Sequence, residues 1–205
     1  MTCCLSLCSA LLALSALAAT AAPAVKLEMP AADAVLPQVT LASSIISNSN
    51  VSRLVNLCID PTLGDREAFA ISSSGGETIR LSGGSPAGLL YAAQEIADRA
   101  KAAPLAARLS ISQKPDFGLR GSVIYLMKDC SYDHYSIEPK NFPWFYDRPL
   151  LTKYLDYLFA NRFNAIFVWG GNVFPSLVEL PEYPDSTDLT REQLLQNQEQ
   201  FRLFT

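Results

Sequence analysis

Tryptophan, two glycines and asparagine follow an apolar run in the segment Trp169-Gly170-Gly171-Asn172. An indole ring stacks on the C–H face of a sugar, and an amide side chain hydrogen-bonds sugar hydroxyls. The glycines would let the backbone approach a ligand closely. The segment therefore predicts that Trp169 and Asn172 contact a carbohydrate; the alternative is a turn beside a core tryptophan.

A second group of candidates lies in a connection of about twenty residues that begins near Asp129, after another apolar run. A connection of this length in a compact domain is usually functional or disordered, and its aromatic composition does not suggest disorder. We expect Asp129 to bind substrate and the aromatic rings either to contact sugar or to pack against the neighbouring domain. The aromatic and ionisable residues of this connection include Tyr132, Asp133, His134, Tyr135, Glu138, Phe142, Trp144, Phe145 and Tyr146.

Composition excludes several kinds of site. The 205-residue chain has one histidine, His134, which excludes metal sites that need two histidines. Sixteen Lys and Arg against 20 Asp and Glu argue against a generally basic nucleic-acid surface. The segment Gly83-Gly84-Ser85 lacks both the dinucleotide spacing and the P-loop lysine, so it predicts a turn and a helix cap. We therefore predict no metal, no cofactor and no nucleic-acid partner.

Hydrophobic periodicity predicts a small α/β domain over residues 25–113. The segment 26–52 is typical of strands and loops, and a helix over residues 85–103 starts with Ser85 as its N-cap and Pro86 at its first position. The predicted strands of the clearer part of this domain cover residues 67–72, 78–82 and 108–112.

A βαβ pattern follows in residues 114–205. Continuous apolar runs at residues 123–126 and 165–169 predict strands buried on both faces, joined by a helix that begins at Pro149. Thr190 and Gln193 form a capping box for a further helix, with Leu194, Leu195 and Phe201 pointing inward. Two parallel strands and one crossover helix cannot complete a sheet, so we expect the first part of a larger one. Ligands bind at the carboxyl ends of such strands, which is where Asp129 and Trp169 lie.

Three segments resemble parts of glycoside hydrolase families 20 and 67, the β-hexosaminidases and α-glucuronidases. Residues 75–101 resemble the accessory domain, where a strand-turn-strand precedes a G-x-L-Y-A helix; residues 115–121 (PDFGLRG) resemble the barrel opening, and residues 163–166 its second strand. The resemblance implies an α/β protein in which a small accessory domain precedes the first βα units of an incomplete (β/α)8 TIM barrel. It also implies that Arg120 contacts substrate hydroxyls, and that the catalytic carboxylates, unknown here, come from strands beyond Thr205. Family 20 enzymes have a His-rich segment after the second strand. This chain has Trp169-Gly170-Gly171-Asn172 there instead, and in this respect it resembles the α-glucuronidases more closely.

The first 25 residues carry no charge and end in small residues around Ala22, a pattern typical of a secretory signal peptide. We predict a signal peptide at residues 1–24, a secreted or periplasmic protein, and no stable membrane span after cleavage; a retained anchor is the alternative. Export would permit a disulfide between Cys58 and Cys130, or leave two separate thiols.

Together these features predict the N-terminal portion of a secreted glycoside hydrolase that acts on poly- or oligosaccharides, with the barrel truncated. This chain alone is expected to be inactive because the catalytic carboxylates would be missing. A non-catalytic secreted carbohydrate-binding protein is the alternative, and a structural interaction module without a ligand is a third hypothesis.

Overall fold

The computed structural model describes residues 23–127, 136–170 and 173–204. The chain forms two compact units, one that extends to Lys114 and one that begins at Pro115. Both combine helices with strands, which confirms the α/β class predicted from the sequence. No helix of the described part is long and apolar enough to cross a membrane.

The first unit is built on a five-stranded mixed sheet with the strand order β1-β2-β4-β3-β5. Strand β2 pairs in parallel with β1 and β4, whereas β3 pairs antiparallel with β4 and β5. The strands are β1 (Val25–Leu27), β2 (Leu54–Ile59), β3 (Phe69–Ser74), β4 (Thr78–Gly83) and β5 (Arg108–Gln113). The β3–β4 hairpin and β5 correspond to the strands predicted for this region, whereas β2 is a strand that the sequence patterns do not predict.

Helix α3 (Pro86–Ala102) packs on β2, β3 and β4, and α2 (Pro37–Ser47) packs beside it; a short helix, α1 (Ala31–Ala34), precedes α2. As predicted, Ser85 caps α3, because its hydroxyl accepts a hydrogen bond from the Ala87 amide at 3.2 Å. Apolar side chains on one face of the sheet, including Leu57 and Ile79, form the core beneath these helices.

Helix α2 corrects the prediction of strands and loops for residues 26–52. Its β-branched residues favour strands in isolation. However, Val39, Ala42 and Ile46 recur at helical spacing, and all three are fully buried. Packing against α3 therefore makes this segment helical although its intrinsic helix propensity is weak.

The second unit contains a parallel pair of strands, β6 (Gly121–Tyr125) and β7 (Ala165–Trp169), joined by helix α4 (Arg148–Ala160). The predicted βαβ pattern is confirmed at this level. The side chain of Asp147 caps α4 by accepting from the Leu150 amide at 3.0 Å. Helix α5 (Arg191–Phe201) follows, and short 3-10 turns occupy Pro143–Tyr146, Pro184–Ser186 and Arg202–Phe204.

Only one face of the β6–β7 pair is covered among the described residues. Ile124 and Leu126 belong to the core beneath α4, and Ile166 and Val168 pack against it. On the opposite face, Val123, Tyr125, Phe167 and Trp169 are 52%, 51%, 50% and 66% exposed. The prediction of strands buried on both faces is therefore wrong for the described structure, because successive side chains point to opposite faces and α4 lies on one of them. We call the exposed surface the open face.

Helix α5 begins at the predicted capping box, in which Thr190 and Gln193 exchange hydrogen bonds. Leu194 is buried as predicted, but Leu195 is 55% exposed, so its inward placement is wrong. The next residue along an α-helix is turned by about 100° around its axis. The buried side of α5 instead includes two polar residues, Asn197 and Gln200.

Candidate functional site

The carboxyl ends of β6 and β7 bring two aromatic rings together on the open face. Tyr125 lies opposite Trp169 in the strand register, and their ring centroids are 6.5 Å apart at an angle of 63°. The Leu126 amide donates to the Trp169 carbonyl at 2.7 Å, which continues the pairing beyond the strands. The pair presents an exposed aromatic surface at the edge of the sheet where parallel α/β folds bind ligands.

Two further layers of side chains lie on the open face toward the amino ends of the strands. Val123 is opposite Phe167, and Gly121 is opposite Ala165. A Cβ atom at Gly121 would lie 2.5 Å from Cε2 of Phe167, so the glycine leaves room for that ring. The open face thus changes from small residues at one end to large aromatic residues at the other.

Glycine is also required directly after Trp169. A Cβ atom at Gly170 would lie 2.7 Å from the carbonyl oxygen of Leu126 and 3.2 Å from its Cβ. The chain leaving β7 therefore passes close to the chain leaving β6. Of the residues predicted to bind substrate, Asp129 and Asn172 lie outside the described residues, as do His134 and the tyrosines at 132 and 135.

Arg120 lies at the opposite edge, directly before β6 at the amino end of the strand. Its Nε donates to the Arg162 carbonyl and its Nη1 to the Phe117 carbonyl, each at 2.7 Å. These bonds hold two loops at the amino ends of β6 and β7. The structure does not bring Arg120 together with Trp169, and substrate binding by Arg120 stays a prediction.

Some of the aromatic side chains in the loop after β6 pack into the core of the second unit. Phe142 and Phe145 are buried, and Phe145 contacts Phe201 with ring centroids 5.1 Å apart. The Tyr146 hydroxyl donates to the side-chain oxygen of Asn197. Burial, together with the nearby Glu138 carboxylate, raises the pKa of Tyr146, so this phenol stays protonated to a higher pH than an ordinary tyrosine. Trp144 remains partly exposed.

Glu138 is a buried carboxylate in the same loop, and its charge is balanced locally. One oxygen lies 2.7 Å from the Lys140 ammonium and accepts from the Asn141 amide at 3.1 Å. The other accepts from Gln193 of α5 at 3.4 Å. The Glu138 carboxylate therefore holds the loop to α5. No local sequence signal indicated this connection.

Several cavities are present in the described part of the chain, and one of them adjoins the aromatic pair. An apolar cleft of about 260 Å³ adjoins Tyr125, and Trp144 and Tyr154 are among the residues that line it. The first unit has a larger groove of about 780 Å³ near Arg53. The Arg53 guanidinium donates to the carbonyls of Ala106 and Ala107 at 2.8 and 2.9 Å, so it serves to anchor backbone. The cleft beside Tyr125 is the one that extends the aromatic surface.

Known structures place this fold among enzymes that cleave glycosidic bonds. A GH138 enzyme targeting pectin rhamnogalacturonan II is 28% identical, with a TM-score of 0.74 over 88% of this chain. A GH115 4-O-methyl-α-glucuronidase with specificity for decorated arabinogalactans is 13% identical, with a TM-score of 0.50 over 86% of the chain. The chain has a glycoside-hydrolase-like fold. A GH20 exo-β-N-acetylglucosaminidase from Vibrio harveyi is 18% identical over 71% of this chain and 21% of its own, but its TM-score of 0.40 is too low to bear on the fold.

The glycosidase-like chain spans about a quarter of the first two enzymes, 23% of the GH138 enzyme and 28% of the GH115 enzyme. No family model matches the sequence, and no curated protein matches it. The likeness therefore concerns a partial region of larger hydrolases.

Proposed function

We propose that the chain is the N-terminal portion of a secreted or periplasmic glycoside hydrolase that acts on O-glycosidic bonds of poly- or oligosaccharides. The likeness to the GH138 enzyme over 88% of the chain is the observation that carries the glycosidase part of this proposal, and the charge-free leader supports export. In this proposal the unit before Pro115 is an accessory domain, and the unit from Pro115 contributes the first strands of the catalytic barrel.

The open face of β6 and β7 supports the barrel part of the proposal. Parallel strands in a (β/α)8 barrel turn one face to the surrounding helices and the other to an interior filled by layers of side chains. Helix α4 lies on one face, and the open face carries successive layers at Gly121, Val123 and Tyr125 of β6. Further strands of the same protein would cover the lower layers and leave the Tyr125–Trp169 pair at the mouth.

The aromatic pair supports a carbohydrate as ligand. Sugar rings expose apolar C–H faces that stack on aromatic side chains, while their hydroxyls need planar hydrogen-bonding groups. We propose that Trp169 and Tyr125 contact a sugar ring, with Asp129 and Asn172 binding its hydroxyls. The catalytic carboxylates would come from later strands of the barrel.

The two similar enzymes suggest the class of substrate to test first. One targets pectin rhamnogalacturonan II and the other is specific for decorated arabinogalactans. We propose a branched plant polysaccharide, or an oligosaccharide derived from it, as the substrate. The resemblance to families 20 and 67 adds aryl α-glucuronides and aryl N-acetyl-β-hexosaminides as model substrates.

The test is hydrolysis by the full-length protein. Purified protein is incubated with rhamnogalacturonan II, arabinogalactan and both aryl glycosides, and released sugars are measured by chromatography. We expect release from at least one of these substrates by the full-length protein and none by residues 23–205 alone. Binding of a glycan by folded full-length protein without any hydrolysis would favour the alternative, a non-catalytic carbohydrate-binding protein.

A further inference from the structure

Helix α5 carries five amide side chains, and four of them hydrogen-bond the loops that follow β6 and β7. The β6 loop here means residues 136–147, and the β7 loop means residues 173–190. Gln193 and Gln200 bind the β6 loop, Gln198 binds the β7 loop, and Asn197 binds both. Apolar packing is the usual way for a helix to join its neighbours, so a helix that uses amides for this purpose needs an explanation.

Asn197 lies at the centre of these contacts. The residue is 1% exposed, and its side-chain nitrogen donates to the carbonyls of Ile137 at 2.7 Å and Ser176 at 2.8 Å. Its side-chain oxygen accepts from the Tyr146 hydroxyl. Both N–H groups and the oxygen are therefore used, which fixes the orientation of the amide relative to the two loops that it contacts.

A direct bond between the loops completes the arrangement. The backbone amide of Ile137 donates to the hydroxyl oxygen of Ser176 at 3.0 Å, and both residues are buried. Ser176 thus accepts from the β6 loop with its side chain and from Asn197 with its backbone. Separating the loops would leave these buried polar groups without partners, which is costly in a packed interior.

We infer that α5 is a clamp that makes the two loops move as one body, and that Asn197 is its central positioning residue for the sugar site. The inference rests on the proposed function, because the two loops follow the strand ends that carry Tyr125 and Trp169. Asn197 does not lie on the open face; it acts by setting the position of one loop relative to the other. Hydrogen bonds suit this task better than apolar contacts because they depend on direction.

The sharpest test removes the hydrogen bond between Ile137 and Ser176 by a substitution in the β7 loop and measures the effect on the β6 loop. In the full-length protein, Ser176→Ala deletes the acceptor for Ile137, and amide hydrogen exchange is followed in both loops by mass spectrometry. We expect exchange at residues 136–142 to rise at least about fivefold together with exchange at residues 174–178. Gln196→Ala is the matched control, since it removes an exposed amide from the same helix, and should change neither loop.

A second variant adds a kinetic readout. Tyr146→Phe removes the donor to Asn197 while keeping the ring, and it should raise exchange in both loops and lower kcat/KM about threefold to tenfold. Most of that loss should appear in KM, because the loops would meet the substrate in more than one arrangement. A general loss of stability would not separate KM from kcat in this way.

Three contrary outcomes are distinguishable. A rise in amide exchange that is confined to the substituted loop would overturn the clamp, whatever the values of kcat and KM. Coupled exchange in both loops with unchanged KM and kcat would overturn the positioning role. Absence of hydrolysis by the unsubstituted protein would contradict the proposed function instead, and the exchange experiment would still decide the clamp.

Discussion

Asn164 and Arg120 continue the pairing of β6 and β7 by one residue at the amino ends of the strands. The Asn164 backbone amide donates to the Arg120 carbonyl, and the Arg120 amide donates to the Asn164 side-chain oxygen, both at 2.9 Å. The side-chain nitrogen of Asn164 also donates to the Gly118 carbonyl at 2.9 Å. A side chain therefore takes the place of a backbone carbonyl in the last pair of the ladder.

Arg120→Lys tests how this edge of the sheet is held. An ammonium group cannot reproduce the planar guanidinium that bonds the carbonyls of Phe117 and Arg162. We expect the free energy of unfolding to fall by about 1–3 kcal/mol. Arg99→Lys is the control, because the Arg99–Glu95 ion pair lies on the surface of α3 and should change stability little.

The same variant decides the predicted contact between Arg120 and substrate. If Arg120 binds sugar hydroxyls, kcat/KM of the folded full-length variant falls by about tenfold to a hundredfold. A lower melting temperature with normal kcat/KM would show that Arg120 only supports the fold. Kinetics are measured well below the melting temperature, so that both quantities refer to folded enzyme.

Trp169 and Tyr125 should contribute to sugar binding in proportion to their aromatic surface. We expect Trp169→Ala to lower kcat/KM about tenfold or more, Trp169→Phe to lower it less, and Tyr125→Ala to give an intermediate loss. Tyr157→Ala removes another exposed aromatic side chain, on α4, and serves as the matched control. Equal kinetics for Trp169→Ala and the control would contradict the proposed site.

Gly84→Ala tests close packing in the first unit. A Cβ atom at Gly84 would overlap the carbonyl oxygen of Asp65, a backbone atom that moves only with its loop. We expect a loss of about 1–3 kcal/mol in the free energy of unfolding. At Gly76 a Cβ atom would meet nothing within 4 Å, so Gly76→Ala should be neutral or slightly stabilising. Denaturant titration of both variants measures the difference, and equal midpoints would refute the packing argument.

Tyr146 should make the second unit sensitive to alkali. Its pKa is raised by burial first and by the Glu138 charge second, so the unfolded chain releases this proton at lower pH than the folded chain does. The stabilisation is complete below the ordinary tyrosine pKa of about 10 and is lost as the pH rises through the folded value. We expect stability to fall above about pH 10, and Tyr146→Phe to remove part of that fall. Denaturant titrations at several alkaline pH values measure it; identical slopes for both proteins would contradict the assignment.

The predicted signal peptide has a direct chemical test. We expect exported protein to begin between Ala22 and Val25, because the charge-free leader ends in small residues there. N-terminal sequencing of protein recovered outside the cytoplasm identifies the first residue. Protein that still starts at Met1 would favour the retained anchor.

Local signals were sufficient for several elements of this chain. Ser85 and Pro86 mark the start of α3, and the capping box of Thr190 and Gln193 marks the start of α5. These predictions succeeded because a cap satisfies backbone groups within one turn of its own position. The predicted start of α4 at Pro149 is equally local, because proline fits the first turn of a helix.

Tertiary structure decided which faces and partners these elements use. Tyr125 lies beside Trp169 only because the parallel register of β6 and β7 sets them opposite each other in the sheet. Asn197 is buried only because two loops present carbonyl groups to it. The sequence alone determined the starts of α3, α4 and α5 and the apolar character of β6 and β7, as these depend on neighbours within a few positions. Burial, register and loop contacts depend on residues far apart, whose meeting is settled by packing and by the need to pair buried polar groups.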